Sequence, residues 1–79
     1  MHIEQLVTMA NDIAAFFNGA ADRDEAVRDI ATHLRRYWDP RMRRQIIDHV
    51  NAGGAGLSEL AREAIVALAP GMDPVSNRR

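Results

Sequence analysis

The chain has 79 residues, a formal net charge of −1 and no cysteine. That length admits one domain with a marginal core, burying roughly 60–65% of the surface its unfolded chain exposes. Lack of cysteine excludes disulfide staples, thiolate metal sites, iron–sulfur ligation by this chain and thiol nucleophiles, leaving helix packing or a partner protein to support so small a scaffold.

Helix 1 is expected over roughly Ile3 to Asn18. Ile3, Leu6, Val7, Ala10, Ile13, Ala14 and Phe17 recur at helical spacing and form one stripe. Met9 and Phe16 fall to one side of it, so the apolar arc is wider than one packing face needs. They are either additional core or a surface for a second protein. Gly19 is a plausible stop.

Helix 2 opens at Asp22, where Asp22-Arg23-Asp24-Glu25 has capping-box spacing. Its apolar stripe is Ala26, Val27, Ile30, Ala31, Leu34, Tyr37 and Trp38. Glu25 and Asp29 are spaced to pair with Arg28 and Arg36 on the opposite face. Asp39-Pro40 ends this helix, because the residue before a proline is pushed out of the α region. The same step starts helix 3, with Asp39 as N-cap and Pro40 at the first helical position. Met42, Ile46, Ile47 and Val50 form its stripe, and it runs to about Asn51.

The segment Asn51-Ala-Gly-Gly-Ala-Gly reads as a turn. Ser58 caps helix 4, whose stripe is Leu60, Ala61, Ala64, Ile65 and Leu68. Pro70-Gly71 is expected to end it. The fold class is therefore all-α: a small bundle of about four short helices over residues 1–70, with a flexible, disordered C-terminal tail over 71–79.

Charge is distributed unevenly along these elements. Residues 1–34 carry two Arg against six Asp and Glu, whereas residues 35–44 carry five Arg against one Asp. The run Leu34 to Gln45, LRRYWDPRMRRQ, gathers Arg35, Arg36, Arg41, Arg43 and Arg44 around the only Tyr and the only Trp, Tyr37 and Trp38. Trp, Tyr and Arg are the types enriched in interface hot spots. Arg41, Arg43 and Arg44 also stand at the start of helix 3, where the helix dipole disfavours cations. On a helical wheel Arg43 projects between Val50 and Ile47, on the apolar face. Asp39, four residues earlier, could satisfy it; otherwise such a departure from local consistency marks a binding site. Tyr37 and Trp38 are each either core aromatics closing the corner or part of that surface. All ten cations are Arg. A GC-rich genome is sufficient cause, and selection for bidentate contacts to carboxylate or phosphate is the sharper alternative.

The expected partner-binding residues are Arg35, Arg36, Tyr37, Trp38, Asp39, Pro40, Arg41, Arg43 and Arg44, with Met9 and Phe16 as a second group. No catalytic, cofactor-binding or metal-binding residue is expected. His2, His33 and His49 lack metal-ligand spacing, and His33 and His49 read as helix-surface residues. Gly53, Gly54 and Gly56 have neither a preceding strand nor a following Gly-Lys-Ser/Thr, so they read as turn chemistry and not as a phosphate loop. No nucleophile–base–orienter set is present. With no apolar run near 18 residues and no secretion signal, no membrane span is expected and the cytoplasm is the default compartment. The alternative from another class is a helical nucleic-acid-binding module using the Arg and aromatic cluster. Against it, the domain is acidic overall and the arginines flank a corner instead of lining one recognition helix.

Three strings carry a further signal: LVTMANDIAAFF (6–17), AVRDIATHLRRYWDPRMRRQI (26–46) and HVNAGGAGLSELAREAI (49–65). In order and spacing they resemble the delta subunit of soluble NAD-dependent formate dehydrogenases, with HLRRYWDPRMRRQ and AGGAGL the specific parts. The resemblance implies a small non-catalytic accessory subunit of a cytoplasmic complex that docks on the catalytic alpha subunit, beside beta and gamma subunits. It implies that the complex, not this chain, carries molybdenum or tungsten on a bis-pterin-guanine dinucleotide, Fe–S clusters, FMN and NAD. It further implies a need for the delta subunit in making or keeping active enzyme.

Overall fold

The computed structural model describes residues 2–19 and 21–72, with backbone only for 70–72. Four helices follow one another: α1 (Ile3–Phe16), α2 (Arg23–Tyr37), α3 (Pro40–Asn51) and α4 (Glu59–Met72). Among the described residues there is no strand, and no helix is long and apolar enough to cross a membrane.

The caps explain three of the four helix starts. The Asp22 carboxylate accepts from the Glu25 amide at 3.2 Å, and Asp39 accepts from the Met42 amide at 2.9 Å. The Ser58 hydroxyl accepts from the Ala61 amide at 3.2 Å. Each satisfies one of the amides that a helix N-terminus leaves without an intrahelical partner. Two ends differ from the sequence expectation. α1 stops at Phe16, where the Phe17 and Asn18 amides reach only three residues back, to Ala14 and Ala15, and tighten the last turn. Gly19 is therefore not its terminator. α4 passes through Pro70-Gly71 and ends at Met72. Pro70 lacks the amide that would donate to the Val66 carbonyl four residues back, so this last turn forms with one helical bond fewer. Of the tail expected from residue 71, residues 73–79 lie outside the described residues.

α4 is the central element, packing on α1, α2 and α3, while α1 also packs on α3. The core joins Leu6, Ala10 and Ala14 of α1, Ala26, Ile30, Ala31 and Leu34 of α2, Ile46 of α3, and Leu60, Ala61, Ala64, Ile65 and Leu68 of α4. Six of these are alanines, which let helices approach closely while the Leu and Ile side chains interdigitate. Burial stabilises each Leu or Ile by about 1.5–3 kcal/mol. No polar or charged side chain is buried among the described residues.

The α3–α4 connection takes its shape from three glycines, Gly53, Gly54 and Gly56, all at positive φ. The Gly54 amide donates to the His49 carbonyl at 2.9 Å and the Gly53 amide to Val50 at 3.0 Å, the paired bonds of a Schellman helix end. His49 Nε2–H donates to the Ala55 carbonyl at 2.8 Å. From across the fold, the Asn11 amide donates to the Gly56 carbonyl at 2.9 Å and accepts from the Ser58 amide at 2.8 Å. Both ends of one side chain on α1 thus fix the entry to α4.

Candidate functional site

The corner between α2 and α3 forms because Trp38 and Asp39 both take extended backbone, at φ −92°, ψ 138° and φ −74°, ψ 165°. Asp39 precedes a proline and is held out of the α region. Pro40 then supplies the fixed φ of a first helical position. Asp39 and Pro40 therefore build the corner: the carboxylate is engaged with the Met42 amide, and the ring starts α3.

The two aromatic residues part company here. Trp38 is 4% exposed and belongs to the chain's own core. The expectation that Trp38 presents its indole to a partner is corrected by this burial; its position just past the last turn of α2 carries the side chain inward. Tyr37, expected on the core stripe of helix 2, is 70% exposed. It rests on His33, one turn back, with ring centroids 4.7 Å apart.

The arginines divide as well. Arg43 reaches back across the corner, donating to the Arg35 carbonyl at 2.8 Å and to the Trp38 carbonyl. These belong to the end of α2, where carbonyls lack intrahelical donors and the helix dipole favours a cation. The apparent conflict of a cation on the apolar face at the start of α3 is resolved by this reach: Arg43 is half-buried and caps the preceding helix. Arg35, Arg36, Arg41 and Arg44 are exposed, and among the described residues none has an ion-pair partner. Nor do Glu25 and Asp29 form the pairs with Arg28 and Arg36 that their spacing allows. Arg23 and Glu63 do form an ion pair, at 3.1 Å, linking α2 to α4. The hydrogen bond to Arg23 is the main cause holding the Glu63 carboxyl below its ordinary range, and the same bond raises Arg23.

The second expected group also divides. Met9 is half-buried against the core, whereas Phe16 is 85% exposed. Phe16 meets Phe17 edge-on, with centroids 5.5 Å apart, at a shallow depression lined by Asp12, Ile13, Phe16, Phe17 and His33. Sequence reading left His33 as an ordinary surface residue; its four-residue spacing from Tyr37 is the signal that joins them. It also passed over Asn11, whose partners lie 45 and 47 positions away. Among the described residues no group of three or more His, Asp or Glu side chains is placed to hold a metal ion.

The corner thus presents four exposed guanidinium groups and an exposed phenol ring around a proline-started helix junction. The family model described as "NADH-dependant formate dehydrogenase delta subunit FdsD" matches residues 5–65, more than half of the chain. No curated protein and no solved structure matches it. The matched span takes in the corner, its arginines and the glycine turn, and the chain belongs to the delta-subunit family of NADH-dependent formate dehydrogenases.

Proposed function

We propose that this chain is a non-catalytic accessory subunit that docks on the catalytic alpha subunit of a cytoplasmic formate dehydrogenase complex through the α2–α3 corner. The observation that carries the reading is the set of exposed arginines, Arg35, Arg36, Arg41 and Arg44, without acidic partners among the described residues. Guanidinium groups suit bidentate pairing with carboxylates. Held at the two ends of a capped corner, they form a preorganised cationic surface, which lowers the ordering cost of association. Tyr37 supplies exposed aromatic area within it. Trp38, Asp39, Pro40 and Arg43 act behind this surface by fixing its shape.

The metal–pterin centre, Fe–S clusters, FMN and NAD of such a complex are assigned to its other subunits. A chain without cysteine has no thiolate for an Fe–S cluster. In this reading docking stabilises the alpha subunit or assists its loading with the metal cofactor. Pull-down of the tagged chain from native extract, with mass spectrometry, tests the docking. The expected result is recovery of formate dehydrogenase subunits with the alpha subunit in direct contact by cross-linking. Recovery of nucleic acid instead, with affinity falling steeply as salt rises, overturns it. Stoichiometric retention in active enzyme identifies a structural clamp, and association with cofactor-free alpha subunit alone identifies a maturation role.

A further inference from the structure

Resting on that reading, we propose that the depression between the end of α1 and α2 seats one apolar side chain of another subunit, on a segment that also carries carboxylates. Phe16 is the most exposed large apolar residue among those described, and nothing in the fold requires it there: the neighbouring Phe17 makes the contact with the core. Ile13, Phe16, Phe17 and the His33 ring give an open, mostly apolar floor. Tyr37, its ring tilted at 44° against His33, extends that floor toward the arginine corner. Apolar surface beside charged groups is the anatomy of a binding patch, with a dry centre and a polar rim.

The charges at its two ends give the occupant its direction. Arg36 lies one turn beyond His33 on α2 and is exposed, while Asp12 borders the opposite, α1 side. Asp29, one turn before His33, is exposed too and adds negative charge away from the corner. Carboxylates of the incoming segment therefore lie toward the α2–α3 corner, over Arg36, and the apolar side chain enters beside Phe16. A second copy of this chain is a poor occupant. Residues 35–44 hold five Arg against one Asp, so two copies packed corner to corner would bring like charges together.

The test places the photo-cross-linking residue p-benzoylphenylalanine at position 16 of the full chain, co-expressed with the other formate dehydrogenase subunits; a second version places it at Val66, exposed on α4, as control. The expected adduct at position 16 is with another subunit, on a segment holding an apolar residue within about one helical turn of two or more carboxylates. Arg36→Glu in the same chain lowers its yield on the order of tenfold, and position 66 gives no such adduct. Adducts within the chain, with a second copy or with a segment lacking carboxylates overturn the proposal, as does an unchanged yield with Arg36→Glu. Co-purification of the subunits without any adduct at position 16 removes the groove assignment and leaves corner docking intact. Failure of the wild-type chain to co-purify with any subunit removes both.

Discussion

At the corner, adjacent residues have opposite fates. Trp38 closes the core, while Tyr37 faces out. Trp38→Ala should lose about 3–5 kcal/mol, a large share of what a chain of this size has at about 0.05–0.15 kcal/mol per residue. A failure of that variant to assemble would report unfolding, so its thermal melt must be read first. Arg43 and Arg44 make a sharper contrast. Arg43→Ala removes donors from carbonyls at the end of α2 and should cost about 1–3 kcal/mol in urea denaturation. Arg44→Ala, at an exposed side chain, should stay within about 0.5 kcal/mol of wild type. Equal destabilisation by the two would contradict the division of labour described here. The sequence marks both as cations at the wrong end of a helix. It does not show that one bends back to the preceding helix, because that depends on the angle at which α2 meets α3.

Among the elements, the helix starts were the most legible, because a cap is a local event: Asp22, Asp39 and Ser58 each act on an amide three residues ahead. Helix ends were less so. Gly19 looked like a stop and is not one, and Pro70-Gly71 lies inside α4. The glycine turn was recognisable as a turn. The two bonds from Asn11 that hold its far side were not, since they join segments distant in the chain. Asn11→Ala should therefore destabilise by about 1–3 kcal/mol, from two lost hydrogen bonds. Gly54→Ala should cost at least about 1–2 kcal/mol, from φ +68° and a new methyl only 3.1 Å from the Arg62 side chain. Hydrogen exchange confined to residues 52–58 would locate both effects. The Arg23–Glu63 pair adds a pH dependence. Its carboxyl is depressed in the folded state, so its contribution is present above the ordinary carboxylate pKa and is lost as pH falls through the lower, folded value. The gap in melting temperature between wild type and Glu63→Gln should be small, because the pair is half exposed, and should close on acidification.

On the scale of the whole molecule, α4 touches every other helix and the core leaves no charge buried among the described residues. The charges of Arg35, Arg36, Arg41 and Arg44 lie at the surface. All-α architecture and the existence of the cationic surface were legible from periodicity and from the crowding of arginine into residues 35–44. Which aromatic ring faces out was not, because burial of Trp38 is decided by packing among helices distant in sequence. The most direct measurement uses the chain with Arg35, Arg36, Arg41 and Arg44 all changed to Ser, co-expressed with the formate dehydrogenase subunits and purified beside wild type. The account predicts an unchanged helical circular dichroism spectrum, a melt close to wild type, and loss of most of the bound catalytic subunit. A folded variant that retains the catalytic subunit at the wild-type ratio would contradict it.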